Sequence, residues 1–281
     1  MHHYLVILRP HQWLKNLMLL FPPFLGGTLL QFEDLAAFVL PLISFCCAAS
    51  AVYIVNDILD LQQDRHHPLK RLRPIADGRI TPPHALIYSL LLASLAIWTA
   101  VQVSRDFLII VLLYLVISSA YSLRFKSLPV VEMFCVISGF LLRLQAGSVA
   151  YEVELSNWLI LSVFLLALFL VSGKRLGEIR HTGGATAGLL RPVLEKYPSG
   201  FFEVSMGLSG AAVLVTYSLY LINYQGNIFL IPLCCFGLLS YLLRVLTGKG
   251  GDPTRALLKD PVLFIVGLLW FFLTSFTVYG T

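Results

Sequence analysis

The sequence predicts an all-α membrane protein, a polytopic bundle of nine transmembrane helices that forms one domain over residues 1–281. Of the 281 residues, 58% are hydrophobic and 12% are charged, and the mean hydropathy is +0.82. A soluble domain of this length needs more charge than that to cover its surface. The apolar residues also gather into segments of about 20 residues, the length at which a helix crosses a bilayer.

Nine apolar segments follow one another along the chain. They cover residues 12–30, 35–59, 83–103, 106–123, 129–150, 156–175, 199–223, 226–246 and 261–279. The connections alternate in charge, and every lysine and arginine except Arg105 and Arg143 falls on one side. Because cytoplasmic loops carry the excess of Lys and Arg, the alternation predicts a cytoplasmic N terminus and a C terminus outside. It also accounts for the net charge of +5 without nucleic acid as a partner.

The most informative polar stretch follows the second segment and reads Asn56-Asp57-Ile58-Leu59-Asp60-Leu61-Gln62-Gln63-Asp64. Asp57, Asp60 and Asp64 are spaced i, i+3 and i+7, so a helix places them on one face. Carboxylates grouped in this way repel one another unless a cation lies among them. Oxygen ligands suit a hard divalent cation, which predicts Mg²⁺ shared with a substrate diphosphate. The alternative is a solvated helix end that pairs with the basic residues of 65–74.

Basic residues gather at the ends of other segments, and each group has a structural alternative. Lys174 and Arg175 suit phosphate oxygens, with Glu178 as a metal ligand or an acceptor. Their alternative is an i, i+4 surface ion pair between Lys174 and Glu178. Lys15 lies just inside the first segment, where a lysine is costly unless it is paired or lines a polar cavity. Arg143 lies well inside the fifth segment, where a structural bond to another helix is favoured over catalysis.

Carboxylates suited to a metal, clusters of cations and an apolar bundle together predict transfer from a diphosphate ester. Metal and cations would stabilise the leaving pyrophosphate while an acceptor captures a cation-like carbon. The sequence shows neither a Ser or Cys nucleophile arranged with a histidine nor a dinucleotide-binding loop, so covalent catalysis and hydride transfer fit poorly. The five cysteines all fall in apolar segments and lack the spacing of a metal site.

The acidic stretch resembles the first aspartate-rich motif of the UbiA-type membrane prenyltransferase superfamily, whose members are nine-helix bundles. Further stretches are similar to its polyprenyl-phosphate phosphoribosyltransferase branch, the decaprenyl-phosphate phosphoribosyltransferases. They are Arg9-Pro10-His11-Gln12-Trp13-Leu14-Lys15-Asn16, residues 53–76, Tyr121-Ser122-Leu123-Arg124-Phe125-Lys126, Ser138-Gly139-Phe140-Leu141-Leu142-Arg143 and Gly173-Lys174-Arg175. The similarity covers most of the cytoplasmic half of the first six segments, and hydropathy alone matches the remaining third.

The resemblance implies a donor, 5-phosphoribosyl 1-diphosphate, and a lipid acceptor, decaprenyl phosphate or another polyprenyl phosphate. It also implies Mg²⁺ as cofactor, a site on the cytoplasmic face of the bacterial inner membrane, and a product used for cell-wall arabinan. By position, Asp57, Asp60 and Asp64 would hold the metal, and Asn56 would orient the site. The candidates for binding the substrates are Lys15, Asn16, Tyr53, Lys70, Arg71, Arg73, Tyr121, Arg124, Lys126, Lys174, Arg175 and Glu178.

One difference from the aromatic prenyltransferases of the superfamily bears on the substrate. Those enzymes carry a second aspartate motif of DxxxD type, where this chain has Lys174-Arg175-Leu176-Gly177-Glu178. Cations suit a donor with an extra phosphate and a phosphate nucleophile better than they suit a neutral aromatic ring. Leu176-Gly177 also differ from the aromatic residue and alanine of the phosphoribosyltransferase branch.

Two other functions remain as alternatives. The first is an aromatic prenyltransferase of quinone or haem type that uses a polyprenyl diphosphate donor. The second is a transporter of lipids or small molecules that uses the acidic site for a coupling cation. The sequence shows no inverted repeat with broken helices near the midplane, which counts against transport.

Overall fold

The chain is helical in a computed structural model, which describes residues 2–31, 34–66, 70–181 and 191–280. The described residues contain no β-strand, in agreement with the predicted all-α class. Their α-helices are α1 (His2–Ile7), α2 (Phe21–Leu25), α3 (Leu35–Leu59), α4 (Leu61–His66), α5 (Pro82–Val103), α6 (Arg105–Leu123), α7 (Val131–Ala150), α8 (Asn157–His181), α9 (Phe201–Asn223), α10 (Leu230–Leu246), α11 (Pro253–Lys259) and α12 (Pro261–Tyr279). The same part of the chain has 3₁₀-helices at Pro10–Leu20, Lys70–Leu72, Phe125–Ser127 and Pro192–Lys196.

Seven of the described helices are long and apolar enough to cross a membrane, namely α3, α5, α6, α7, α8, α9 and α12. Helix α10 is apolar but shorter, with 17 residues. The protein is therefore an all-helical, polytopic integral membrane protein. The predicted segments from 35–59 to 261–279 each coincide with one of these eight helices, although α8 runs on to His181 instead of ending near residue 175.

The first predicted segment, residues 12–30, is not one continuous α-helix. It is a 3₁₀-helix over Pro10–Leu20 followed by the short helix α2. A helix can begin at Pro22 and Pro23, but prolines in a helix interior remove backbone hydrogen bonds and clash with the preceding turn. Gly27 has φ of 73°, and the segment ends there in a turn. The helical run therefore ends at Leu25, before the predicted end of this segment.

The first of two compact units consists of residues 2–23 and 28–154, with α3 packed against α5, α6 and α7. Its core includes Phe45 of α3, whose ring centroid lies 5.9 Å from that of Phe107 and 5.4 Å from that of Tyr114. Buried alanines of α3 and α5 belong to the same core. Such small residues let helix backbones approach closely, as packing within a membrane favours.

The loop over residues 70–81 is fixed to the first unit by apolar side chains. Ile75 and Ile80 are 1% and 2% exposed and belong to one cluster with Ile54 of α3. Burying each of these side chains, relative to leaving it exposed to water, stabilises the packed position of the loop by about 1.5–3 kcal/mol. This anchoring holds Arg73, two residues before Ile75, beside the C-terminal end of α3.

The second unit consists of residues 24–27 and 155–280 and is organised around the pair α8 and α9. The Ser162 hydroxyl of α8 donates to the Thr216 hydroxyl of α9 at 3.1 Å, and both side chains are buried. Helix α10 packs on α8, α9 and α12. The second unit therefore carries the end of α8, where the predicted phosphate-binding residues Lys174 and Arg175 lie.

Candidate active site

The end of α3 brings the predicted carboxylates to one side of the first unit. Only Asp60 separates α3 from α4, and the backbone N–H groups of Asp60 and Asp64 still bond four residues back, to Asn56 O at 2.9 Å and to Asp60 O at 2.8 Å. The helical turn therefore continues through the break, as the spacing of the aspartates predicts. Asp57 and Asp64 are buried, with 3% and 2% of their surface exposed.

Arg73 joins the two buried carboxylates. Its Nη1 donates to Asp57 Oδ1 at 3.0 Å and to Asp64 Oδ2 at 2.5 Å. Asp57 Oδ1 also accepts a hydrogen bond from Arg9, and Lys70 Nζ lies 3.9 Å from Asp64 Oδ1. Each buried carboxylate therefore has more than one cation beside it, which offsets the cost of removing its charge from water.

Asp60 makes a separate set of contacts. Its Oδ1 pairs with Lys126 of the 3₁₀-helix after α6, and its Oδ2 accepts from Asn56 Nδ2 at 2.9 Å. Among the residues that the structure describes, no three His, Cys, Asp or Glu side chains form a ready metal cluster. The predicted trio is thus a bridged pair, Asp57 and Asp64, with Asp60 beside it in its own ion pair.

The donor set of this acidic group fits a hard divalent cation. Asp57 and Asp64 present oxygens only, and the closeness of their carboxylates is fixed by their shared contact with one nitrogen of Arg73. A divalent ion held by Asp57 and Asp64 would supply positive charge, which can stabilise a diphosphate leaving group. The guanidinium and ammonium groups around the carboxylates are of the kind that bind phosphate oxygens.

Arg9 belongs to this group, although its position in the sequence did not indicate a place in the site. It pairs with Asp57, and its guanidinium carbon lies 5.4 Å from the ring centroid of Tyr53, a predicted binding residue. Arg9 has a left-handed backbone (φ 54°, ψ 59°) directly before Pro10. The contact with Asp57 joins residues 48 positions apart. Spacing could not reveal such a contact, and only the resemblance, which includes Arg9, signalled it.

The remaining predicted binding residues of the first unit differ in exposure. Arg71 and Arg124 are exposed, whereas Tyr121 and Lys15 are half-buried. Residues 67–69, which belong to the basic stretch after the acidic motif, lie outside the described residues. The binding roles of these side chains stay predictions.

Asn16 is buried in the first unit and 1% exposed. Its Oδ1 accepts from Arg143 Nε at 2.8 Å, and its Nδ2 donates to Cys46 Sγ at 3.2 Å. Arg143 therefore makes a bond to another segment, in agreement with the structural role favoured for it. Both polar atoms of Asn16 thus have protein partners, and its role in substrate binding stays a prediction.

A second polar group lies in the second unit, at the end of α8. Arg175 is 2% exposed, and its Nη1 donates to both oxygens of Glu178 at 3.2 and 3.1 Å. Arg191 Nε lies 3.5 Å from Glu178 Oε2, and Lys174 Nζ lies 3.9 Å from Asp252 Oδ2. Arg191 and Asp252 were missed by the sequence analysis, because they come from distant loops. One carboxylate here contacts two guanidinium groups, and the three cations outnumber the two carboxylates.

Gly177, one of the two positions that differ from the phosphoribosyltransferase branch, has a packing explanation. A Cβ atom at Gly177 would lie 2.4 Å from Gly251 N, and one at Gly251 would lie 2.1 Å from Gly173 O. The turn around Gly251 is held there by the Tyr241 hydroxyl, which donates to Gly251 O at 2.7 Å. An alanine at 177 would push this turn away from α8, so the glycines at 177 and 251 match each other.

Comparisons with known proteins identify the family of this chain. A family model described as the UbiA prenyltransferase family matches residues 20–259. A decaprenyl-phosphate phosphoribosyltransferase of Mycobacterium tuberculosis is 34% identical, over 94% of this chain and 90% of its own. Another from Corynebacterium glutamicum is 32% identical, over 97% of this chain and 85% of its own. A solved UbiA homologue from Archaeoglobus fulgidus, bound to GPP and Mg²⁺, has the same fold, with a TM-score of 0.74. The match is 22% identical and covers 99% of this chain and 100% of that chain. The chain therefore belongs to the UbiA prenyltransferase family.

Proposed function

We propose that the protein transfers the 5-phosphoribosyl group of 5-phosphoribosyl 1-diphosphate to a polyprenyl phosphate, with decaprenyl phosphate as the expected acceptor. Mg²⁺ is the cofactor and pyrophosphate is released. Relatives that carry the name decaprenyl-phosphate phosphoribosyltransferase, at 32–34% identity over most of their length, support this substrate pair. Membership of the UbiA family supports a transferase that works on a diphosphate donor inside a membrane bundle.

The observation that carries the proposal is the abundance of cations in both polar groups. In the first unit, four basic side chains surround three carboxylates, and in the second unit Glu178 contacts two arginines. The basic side chains are Arg9, Lys70, Arg73 and Lys126 in the first unit and Arg175 and Arg191 in the second. Most of these cations are partly buried, and in the first unit they outnumber the carboxylates, which favours further anionic partners. A donor with a diphosphate and a 5-phosphate, together with a phosphate acceptor, offers more anionic oxygens than a prenyl diphosphate with a neutral ring.

The proposed reaction exchanges one C–O bond for another at ribose C1. The bond from C1 to the diphosphate breaks, and its electron pair leaves with pyrophosphate. An oxygen of the polyprenyl phosphate forms the new bond to C1. Arg9, Arg73 and Lys126 would bind and orient phosphate oxygens and stabilise charge as it develops on the leaving group. The apolar bundle would exclude water, which would otherwise capture the cation-like carbon.

Topology and location complete the proposal. The one-sided distribution of Lys and Arg supports a cytoplasmic N terminus and a site on the cytoplasmic face of the bacterial inner membrane. A water-soluble phosphorylated donor is available on that side, while the lipid acceptor reaches the site from the bilayer. The product, a phosphoribosyl polyprenyl phosphate, would serve cell-envelope polysaccharide of arabinan type, and residues 1–281 would act as one catalytic domain.

Transfer by the purified protein tests the proposal. Protein in detergent is incubated with ribose-labelled donor and decaprenyl phosphate, with Mg²⁺ or with EDTA, and parallel reactions contain a labelled prenyl diphosphate and an aromatic acceptor. We expect Mg²⁺-dependent label in the lipid fraction and stoichiometric pyrophosphate. Label transferred only from the prenyl diphosphate would overturn the proposal in favour of an aromatic prenyltransferase. No turnover with either donor, combined with cation-dependent uptake in proteoliposomes, would overturn it in favour of a transporter.

A further inference from the structure

The first apolar segment contains a 3₁₀-helix of unusual length. Pro10–Leu20 has 11 residues in this conformation, whereas 3₁₀-helices longer than three or four residues are uncommon because their hydrogen bonds have poorer geometry. Contacts elsewhere must therefore stabilise the segment. Its anchored residues are Trp13, Asn16 and Leu19, which recur every three residues. A helix with three residues per turn places all three on one face.

The anchored residues contact helices α3 and α7 of the first unit. Trp13 Nε1 donates to Ser50 Oγ of α3 at 3.0 Å. Leu19 is completely buried, and its backbone lies so close to α7 that a Cβ at Gly147 would be 2.0 Å from Leu19 O. Asn16, between the other two, bonds to Cys46 of α3 and to Arg143 of α7.

Arg143 makes the charged contact among these anchors. Besides Asn16, its guanidinium donates to Gly139 O at 2.7 Å and to the Tyr114 hydroxyl at 3.0 Å, and it lies 4.7 Å from the Tyr114 ring centroid. Within the described part of the chain these polar partners are all neutral, and no carboxylate is paired with Arg143. Hydrogen bonds from a charged donor are about twice as strong as neutral ones. An arginine is costly within a membrane span, so the contacts of buried Arg143 are expected to serve a function.

The 3₁₀ form determines the position of Lys15 relative to the anchored face. A 3₁₀-helix turns about 120° per residue and an α-helix about 100°, so relaxation to the α form would rotate Leu19 relative to Trp13 by about 120° over their six residues. Trp13, Asn16 and Leu19 would then no longer lie on one face of the helix. Lys15 lies one position before Asn16, so its direction is fixed only while that face stays intact.

We propose that Arg143 is a positioning residue, which clamps Pro10–Leu20 in the 3₁₀ form through Asn16 and thereby orients Lys15 toward an anionic phosphate group of a substrate. The inference rests on the proposed function for the identity of that substrate, but the clamp itself does not. Arg143 acts through Asn16, so its loss should affect the same step as the loss of Lys15.

Hydrogen–deuterium exchange of the full-length protein tests the clamp without any substrate. We expect Arg143→Met and Asn16→Leu to raise exchange in peptides from residues 10–20 about tenfold, since each removes a charge-assisted hydrogen bond. Arg105→Met, at the exposed start of α6, is the matched control and should leave this exchange unchanged. If Arg143→Met does not fold, Arg143→Lys and Asn16→Leu carry the test. Unchanged exchange in the folded variants would overturn the clamp.

A double-mutant cycle tests the link to Lys15. It compares Lys15→Met, Arg143→Met and the double variant by kcat and KM of whichever transfer the wild-type protein catalyses. We expect the double variant to lose no more than Lys15→Met alone, about 10- to 100-fold in kcat/KM. Losses that multiply would overturn the positioning role. A wild-type protein without phosphoribosyl transfer would overturn the proposed function but not the clamp, which exchange decides separately.

Discussion

The polar groups of the two units differ in which charges their own helix supplies. At the end of α3, three carboxylates occur within eight residues and the cations come from other elements, namely Arg9, Arg73 and Lys126. At the end of α8, the cations Lys174 and Arg175 are on the helix itself, and Glu178 contacts Arg175 and Arg191. Carboxylates presented by the helix suit a metal–diphosphate complex, whereas cations presented by the helix suit bare phosphate. We therefore expect the group at the end of α3 to bind the metal and the group at the end of α8 to bind phosphate.

Of the variants that test this contrast, Asp57→Asn should have the largest effect. Replacing the carboxylate that Arg9 and Arg73 share should lower transferase turnover by about 10²–10³-fold. The proposed metal site would lose one ligand oxygen, and the two arginines would lose their shared anionic partner. The measurement is lipid-linked label per minute, with folding checked by gel filtration. Asp77→Asn is the matched control, since Asp77 pairs with Arg79 in the nearby loop. A variant with full turnover would remove Asp57 from the metal site.

Arg175→Met tests the cation-rich group and should have the next largest effect. Losing this guanidinium removes two hydrogen bonds to Glu178 and leaves that carboxylate with fewer cations. We expect a fall of about 10- to 100-fold in kcat/KM for the phosphoribosyl donor. Arg180→Met is the control on the same helix, because Arg180 bonds at the surface to Glu203. Equal losses in both variants would indicate a general effect on α8.

Glu178→Gln distinguishes the two roles that the sequence allows for Glu178. If Glu178 balances Arg175 and Arg191, the Mg²⁺ concentration for half-maximal activity should stay unchanged. The donor KM should then shift by less than about fivefold, as for a partly exposed ion pair. The test is a Mg²⁺ titration of activity at fixed donor. A large increase in the required Mg²⁺ would instead make Glu178 a metal ligand and weaken the contrast between the units.

How far the sequence predicted these features depends on the range of the contacts. The shared face of Asp57, Asp60 and Asp64 follows from local helical spacing, and the apolar helices follow from hydropathy, so both could be predicted. Contacts between distant loops could not, because Arg9 with Asp57 and Arg191 with Glu178 leave no periodic pattern. The 3₁₀-helix at Pro10–Leu20 was missed for a related reason. Its period of three becomes meaningful only when the partners on α3 and α7 are known.

Gly177→Ala has the smallest expected effect and tests the packing beneath the cation-rich group. The added methyl carbon would lie 2.4 Å from Gly251 N, so the turn or the helix must move. We expect a loss of about 1–3 kcal/mol in stability, measured by thermal unfolding in detergent. Gly207→Ala is the control, because nothing lies within 4 Å of a Cβ there, and in helix α9 it should gain up to about 1 kcal/mol. If Gly177→Ala were as stable as the control, the turn around Gly251 could move at little cost. The close contact between Gly177 and Gly251 would then not explain why residue 177 is a glycine.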